Sequence, residues 1–171
     1  AEKGALLYWR RELYDGPTGD HLATIRQGSF LRGDGGFGGT SEGAPVPLPL
    51  PDRAPDCSIV LPTRRDQALI YRLSGDYNPL HADPQVARAA GFERPILHGL
   101  CTFGVLGRAL LRAVEVPPGG VERMEGRFSS PVYPGETIRA DFWLDGKSVQ
   151  FRGVSVERQT IIFNNGLAGL R

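Results

Sequence analysis

Hydrophobic and polar residues alternate with different periods along the chain, and the changes of period divide it into three stretches. Residues 4–14 and 22–32 are short and rich in aromatic and aliphatic residues, and the turn sequence DGPTGD lies between them. This arrangement predicts a β-hairpin. Residues 33–55 contain so many glycines and prolines that we expect neither a helix nor a central strand there.

The second stretch, residues 63–115, predicts three helices. Thr63 is the expected cap of the first helix, whose leucines are spaced four residues apart. The second helix is expected to follow Asp83, because an aspartate can cap a helix whose first residue is a proline, here Pro84. Gly91 is expected to end it.

The third predicted helix, from Gly99 to Glu115, is the longest and most apolar segment of the chain. Its apolar side chains are spread around most of the circumference, so we expect it to be buried on nearly all sides. Gly104 and Gly107 each cost about 1 kcal/mol relative to alanine in a helix interior. We expect the close approach of a sheet to explain these two glycines.

From residue 121 onward, apolar and polar residues alternate. Turn sequences separate four such segments, which read VERMEGRF, ETIRADFWL, SVQFRGVSVE and TIIFNNGLAGL. We predict an antiparallel meander of four strands. One long buried helix beside an antiparallel sheet is an α+β architecture.

Composition and charge narrow the classes of function. The chain has 20 Lys and Arg against 19 Asp and Glu, so its charge favours neither nucleic-acid binding nor attraction to a membrane surface. Cys57 and Cys101 lie far apart in unlike contexts, which indicates a reducing compartment and neither a disulfide framework nor a metal site. No apolar stretch approaches the ~20 residues of a membrane span. We therefore expect a cytoplasmic protein whose partner is a small molecule or another protein.

Three glycines after the predicted hairpin match the spacing G-x-G-x-x-G of dinucleotide-binding proteins; they are Gly33, Gly35 and Gly38. In those proteins a helix begins at the glycines and binds the pyrophosphate. Prolines follow here instead, so we expect no nucleotide cofactor.

The candidate chemistry begins in the segment LSGDYNPLHAD, residues 73–83, which lies between two predicted helices. Asp76 and His81 on one rigid loop could hold a water molecule between them and move its protons, which is general acid–base chemistry. The other interpretation is an ordinary turn, in which Asp76 and Asn78 bind backbone N–H groups and His81 packs or faces water. The spacing by itself favours the turn.

A second feature of the sequence favours the interpretation as a catalytic pair. Gly99, in the sequence PILHGL, begins the apolar helix, so its N–H has no acceptor within the helix and lies at the positive end of the helix dipole. Such an N–H can polarise a carbonyl oxygen, as in an oxyanion hole. His98 is expected to be a cap or a packing residue. The apolar helix and nearby aromatic residues would offer a slot for a lipid-like chain, so the features together suggest addition of water to a conjugated thioester.

The segment YRLSGDYNPLHADPQVARAAGFERPILHGLCTFG, residues 71–104, resembles the hydratase 2 motif of the R-specific, MaoC-like enoyl-CoA hydratases. Further along, RFSSPVYPGET is similar to the second strand signature of that family. The resemblance implies a hotdog fold, in which an antiparallel sheet wraps around a long helix. It also implies that residues 56–171 form one catalytic hotdog domain.

The front of the chain resembles the last strands of the non-catalytic first repeat in double-hotdog hydratases. We expect residues 1–40 to be a remnant of that repeat and residues 41–55 to be a Pro/Gly-rich linker. The helix and opening strand of the repeat are not among the 171 residues, so we expect the chain to be part of a longer protein. The hairpin would then pair with the rest of that repeat or, in a homodimer, with a second copy.

The resemblance also implies roles for individual residues. Asp76 and His81 would hold the nucleophilic water and exchange its protons with the substrate, and Asn78 would orient that water or His81. The N–H of Gly99 would bind the thioester oxygen. Phe128 resembles a position that lines the coenzyme A or acyl site.

Lys3 resembles a basic contact to the coenzyme from the first repeat. The implied reaction is the reversible syn hydration of trans-2-enoyl-CoA to (3R)-3-hydroxyacyl-CoA, a hydro-lyase reaction of fatty acid metabolism and β-oxidation. Neither a metal nor a separate cofactor is implied, since coenzyme A enters as part of the substrate.

Two other functions stay open. Many hotdog thioesterases use a carboxylate on the central helix, but no acidic residue occurs between Gly99 and Val114. A hotdog protein that binds acyl-CoA without turning it over is the other alternative, and the presence of both Asp76 and His81 disfavours it.

Overall fold

The protein is described by a computed structural model that covers residues 4–40 and 42–171. Positions 1–3 of the expected repeat remnant and position 41 of the expected linker lie outside the described residues. The chain forms two compact units, of which the first ends at Val46 and the second spans Pro47–Arg171. The second unit therefore includes the last part of the segment predicted to be a linker.

The first unit contains the predicted hairpin, which is confirmed. Strand β1 is Gly4–Tyr14 and strand β2 is His21–Arg32, and the two pair in antiparallel register. Many large apolar side chains of the hairpin are exposed, and these are Leu6, Leu7, Tyr8, Leu13, Tyr14, Leu22, Ile25 and Phe30. A two-stranded sheet is marginally stable by itself. Its pairing with further strands stays a prediction.

The second unit contains one five-stranded antiparallel sheet. Its strands are β3 (Cys57–Pro62), β4 (Val121–Phe128), β5 (Thr137–Asp145), β6 (Ser148–Ser155) and β7 (Thr160–Leu170). Their order across the sheet is β3-β5-β6-β7-β4.

The prediction of a four-strand meander is right for β5, β6 and β7 and wrong for β4. Strand β4 pairs with β7 at one edge, because residues 129–136 carry the chain across to β5 near the other edge. Strand β3, which pairs with β5, was not predicted. A six-residue strand is too short to give a reliable alternation signal.

The second unit also contains helices α1 (Gln67–Arg72), α2 (Pro84–Ala89) and α3 (Gly99–Val114), with a 3₁₀ turn at Pro79–His81. Among the described residues, no helix is long and apolar enough to cross a membrane. The long third helix ends as predicted, since Glu115 is its C-terminal cap in the left-handed conformation.

The two predicted helix caps have different outcomes. The Asp83 cap is confirmed, because its carboxylate accepts the N–H of Gln85 at 2.7 Å at the start of α2. The Thr63 cap is wrong. Its hydroxyl donates to the carbonyl oxygen of Glu136 at 2.7 Å, a contact across 73 residues that ties the end of β3 to the start of β5.

Helix α3 packs across the inner face of the sheet, so the predicted α+β hotdog architecture is confirmed. Leu106 and Leu110 on α3 are fully buried with the rings of Phe142, Phe151 and Phe163. The expectation that α3 is buried on nearly all sides is wrong, because among the described residues the sheet covers only one side. The opposite side is exposed, and Leu100 on that side is 67% exposed.

The glycine that lets the helix approach the sheet lies on the sheet and not on α3. A Cβ atom at Gly153 would lie 3.0 Å from the Leu106 side chain. A Cβ atom at Gly107 would make only an ordinary contact, 3.6 Å from the sulfur of Met124, and one at Gly104 would meet no described atom within 4 Å. The explanation predicted for the helix glycines is therefore wrong.

The proline-rich segment before β3 lies along the outer face of the same sheet. The indole N–H of Trp143 donates to the carbonyl oxygen of Arg53 at 2.9 Å. The side-chain amide of Gln150 donates to the carbonyl oxygen of Pro49 at 2.9 Å. Because Trp143 and Gln150 alternate with inward-facing core residues along their strands, these contacts are on the side away from α3.

Alanine substitutions of two glycines should have opposite effects on the free energy of unfolding, because one glycine lies in a tight contact of the sheet and the other on the open face of α3. A Cβ atom at Gly166 would lie 2.5 Å from the backbone oxygen of Phe151, so Gly166→Ala should lower the free energy of unfolding by about 2 kcal/mol or more. Gly104→Ala should raise it by about 1 kcal/mol, because alanine is the better helix former. Urea unfolding measures both. Equal destabilisation by the two substitutions would contradict the described packing.

Candidate active site

The segment between α1 and α2 forms a tight, locally bonded turn. The carboxylate of Asp76 accepts the N–H of Asn78 at 3.3 Å, and the side-chain oxygen of Asn78 accepts the N–H of Leu80 at 3.0 Å. These are the bonds that the turn interpretation expects. They involve only one carboxylate oxygen of Asp76, and they also set the direction in which His81 leaves the turn.

His81 is held in one orientation and one tautomer. The residue is 9% exposed, and its Nδ1 atom lies 2.8 Å from the carbonyl oxygen of Ile96. A carbonyl oxygen can only accept, so Nδ1 carries a proton, and in the neutral ring Nε2 then has the lone pair. His81 can therefore accept a proton at Nε2.

The structure brings Asp76 and His81 together. One carboxylate oxygen of Asp76 and one ring nitrogen each of His81 and His98 lie within 4.8 Å of one another. A water oxygen lies about 2.7–3.0 Å from each of its hydrogen-bond partners, so one water can bridge two groups at this separation. The geometry therefore fits the water-holding arrangement that the sequence suggested.

His98 is a part of this site that the sequence did not indicate. His98 is the N-cap residue of α3; it is 1% exposed, and its side chain makes no cap hydrogen bond. Its Nε2 atom lies 3.2 Å from the backbone carbonyl oxygen of Asp76, and its ring stacks on that of His81 with 3.7 Å between centroids. His98 occupies the N-cap position of α3 and its ring is packed, so the expectation of a cap or packing residue is confirmed.

Burial lowers the pKa of His98 below its ordinary value, and the neighbouring His81 lowers it further. The hydrogen bond to the carbonyl oxygen of Asp76 acts in the opposite direction but does not outweigh burial. The neutral ring of His98 therefore donates Nε2–H to Asp76 and carries a lone pair on Nδ1.

A second side chain holds the turn from the side of α1. The guanidinium of Arg72 donates to the backbone carbonyl oxygen of Tyr77 at 3.3 Å and lies over the Tyr77 ring, 5.5 Å from its centroid. The carbonyl oxygens of two consecutive residues, Asp76 and Tyr77, thus accept from side chains of different elements. The turn is fixed from both sides.

Gly99 and Phe128 meet at the head of α3. Gly99 begins the helix, so its N–H belongs to the first turn and finds no acceptor within the helix. A Cβ atom at Gly99 would lie 3.4 Å from the ring of Phe128, which packs edge-to-face on Phe163 with 5.3 Å between centroids. Tyr77, Leu100 and Phe128 are all exposed. Lys3 lies outside the described residues.

The residue types Asp76, His81 and His98 are those of a metal site, so their fit to an ion can be tested. A metal ion lies in the plane of each imidazole that binds it, about 2.0–2.1 Å from the nitrogen. The planes of His81 and His98 are stacked at only 25° to each other, so their in-plane lone pairs do not converge on one point. The arrangement does not fit a chelated ion, and the absence of a metal stays a prediction.

Comparison with known proteins shows which family and which relatives the chain resembles. Residues 48–165 match the model of the MaoC like domain. The chain is 49% identical over 146 residues to 3-hydroxyacyl-thioester dehydratase Y of Mycobacterium tuberculosis, covering 82% of this chain and 49% of that protein. It is 39% identical over 170 residues to the peroxisomal enoyl-CoA hydratase 2 of Arabidopsis thaliana, covering 94% of this chain and 55% of that protein.

A solved structure resembles this one over nearly the whole length of the present chain. The MaoC-like dehydratase from Phytophthora capsici superposes with a TM-score of 0.92 at 38% identity, covering 99% of this chain and 60% of that one. The chain spans about half the length of the two relatives compared above.

The lowered pKa of His98 predicts a pH-dependent stability. The unfolded histidine has a pKa of about 6.5, so below that pH the unfolded state binds a proton that the folded state does not. The free energy of unfolding should therefore fall as the pH drops from about 7.5 to about 5.5, and His98→Gln should reduce this fall. Urea unfolding at both pH values measures it. His21→Gln, which removes an exposed histidine, is the control, and an equal reduction in that variant would contradict the assignment.

Proposed function

Because this chain belongs to the MaoC-like domain family, we propose that it is an (R)-specific 2-enoyl-CoA hydratase, a hydro-lyase. The reaction is the reversible addition of water to trans-2-enoyl-CoA, which gives (3R)-3-hydroxyacyl-CoA. The names of the two compared relatives, a 3-hydroxyacyl-thioester dehydratase and an enoyl-CoA hydratase, support both directions of this reaction.

The observation that carries the proposal is the separation of at most 4.8 Å between a carboxylate oxygen of Asp76 and a ring nitrogen of His81. Both groups are acceptors, since His81 keeps its proton on Nδ1 for the carbonyl of Ile96. A water with two protons is the molecule that satisfies two acceptors at once. Its oxygen lone pairs then face away from the pair, toward a substrate.

The chemistry follows from this arrangement. His81 accepts a water proton at Nε2 while the water oxygen forms a bond to C3 of the substrate. The electron pair of the C2–C3 double bond moves toward the thioester oxygen, which the first-turn N–H of Gly99 stabilises. A proton returns from the Asp76–His81 pair to C2, so the net change is the addition of one water to one face of the double bond.

Asn78, Phe128 and Lys3 have supporting roles in the proposal. Asn78 orients the site, and its bond to the N–H of Leu80 gives it the rigidity to do so. Phe128 lines the acyl or coenzyme A site, which its contact with the first turn of α3 supports. Lys3 contacts the coenzyme.

The pairing of the chain and its compartment belong to the proposal as well. The exposed apolar side chains of the hairpin and the relatives' greater length support pairing with a further hotdog repeat or with a second copy. The cytoplasmic location stays a prediction, and the Arabidopsis relative is named as a peroxisomal protein.

Substitution of the proposed pair should abolish most hydration while the protein stays folded. Asp76→Asn and His81→Ala each remove an acceptor for the water, and general acid–base groups contribute about 100- to 10,000-fold to a rate. Loss of enoyl absorbance measures turnover, and circular dichroism measures folding. Asp83→Asn is the matched control, since it changes a carboxylate of the same segment that caps α2, and asparagine caps equally well. Near wild-type turnover in either pair variant would refute the assignment.

The same assay separates the proposed hydratase from its alternatives. A thioesterase would release free thiol from the enoyl-CoA, whereas a hydratase consumes the enoyl group and releases none. A non-catalytic binding protein would bind acyl-CoA without either change. Because α3 carries no carboxylate from Gly99 to Val114, we expect no thiol release.

Substitution of Phe128 should affect binding more than chemistry. Phe128→Ala removes a half-exposed ring beside Gly99 but leaves Asp76 and His81 unchanged. We expect KM for enoyl-CoA to rise about tenfold, which corresponds to about 1.4 kcal/mol of lost apolar contact, with little change in kcat. Steady-state kinetics over a range of acyl lengths measures both constants. A large loss of kcat at constant KM would contradict a lining role.

A further inference from the structure

His98 contacts both members of the Asp76–His81 pair. Its Nε2–H donates to the backbone carbonyl oxygen of Asp76, and one face of its ring lies on the ring of His81. The two contacts use different properties of the side chain, since the first needs a donor and the second needs a flat ring. The position of His98 therefore limits how far Asp76 and His81 can move relative to each other.

Packing by itself does not explain a histidine at this position. The Nδ1 atom of His98 is buried and has no hydrogen-bond partner among the residues that the structure describes. Burying a polar atom without a partner costs about 1–3 kcal/mol. A phenylalanine would fill a similar volume without that cost, so the donor at Nε2 must contribute something that offsets it.

The surroundings of the His98 ring suit it to support His81, whose imidazole gains and loses charge in the proposed reaction. His98 lies between Tyr71 of α1, at 4.7 Å between centroids, and His81, at 3.7 Å. The other charged groups that act on it are Arg72 of α1 and Asp76 of the turn. A neutral ring under His81 does not repel the imidazolium that forms when His81 takes the proton of the water.

We infer that His98 is a positioning residue of the proposed hydration, which holds the Asp76 backbone with its Nε2–H and the His81 imidazole with its ring. The inference rests on the proposed function, because it assigns His98 a part in that reaction through the two residues it contacts. His98 itself does not touch the reacting atoms.

Two conservative variants separate the two contacts. His98→Gln keeps an N–H donor near the position of Nε2 and loses the ring, whereas His98→Phe keeps the ring and loses the donor. We expect each to lower kcat by about 10- to 100-fold, since small displacements of catalytic groups have effects of that size. KM should stay within about twofold, because the substrate contacts are unchanged. His98→Ala should lose more than either.

A control variant distinguishes positioning from general loss of stability. Val149→Ala empties a fully buried site on β6, away from the turn, and should lower the melting temperature without lowering kcat. If both conservative variants kept kcat within about twofold of wild type, or if KM rose in step with the loss of kcat, the inference would be wrong.

A readout without substrate separates failure of this inference from failure of the proposed function. The chain has only three histidines, so the ring resonances of His81 can be assigned by substitution. Stacking on His98 shields the His81 ring protons, so His98→Gln should move these resonances downfield and His98→Phe should leave them close to wild type. Unchanged resonances in His98→Gln would overturn the stack. Absence of hydration by wild-type protein would instead overturn the proposed function, while the resonances would still report the contact.

Discussion

The packing of α3 against the sheet is the constraint on which both the fold and the site depend. Leu106 enters the space that Gly153 leaves open, and Leu110 is buried with the aromatic rings of the inner face. This contact fixes the position and direction of the helix. Its first residue, Gly99, and the preceding His98 are fixed with it, so the sheet determines where the site can form.

A series of polar contacts in the connection between β4 and β5 also fixes the start of α3. Glu136 is 5% exposed and pairs with Arg158 at 2.5 Å, and Arg158 also donates to the carbonyl oxygen of Pro131. These bonds hold the connection between β4 and β5. That connection in turn accepts the N–H of Leu97 at the carbonyl oxygen of Val132, at 2.7 Å, directly before His98. The loop that displaces β4 from the meander therefore also anchors the entry to α3.

The turn interpretation and the catalytic interpretation of the segment at Asp76 describe one structure. The local bonds of Asp76 and Asn78 make the turn rigid, and a rigid turn is what keeps a carboxylate and an imidazole within reach of one water. General acid–base chemistry needs its groups held in a narrow range of geometry. The bonds that seemed to argue for an ordinary turn are thus a condition for the proposed chemistry.

Much of the fold and part of the site follow from the sequence, because the relevant contacts are local. The hairpin turn, the Asp83 cap before Pro84 and the start of α3 at Gly99 depend on residues only a few positions apart, and short patterns encode such contacts. The motif likewise indicated Asp76 and His81 as a pair. The position of β4 at the far edge, the role of Thr63 and the contact of His98 with Asp76 depend on the tertiary structure. His98 and Asp76 are 22 residues apart, and Thr63 and Glu136 are 73 apart. No local pattern specifies such pairs, because only the packing of α3 and the sheet brings them together.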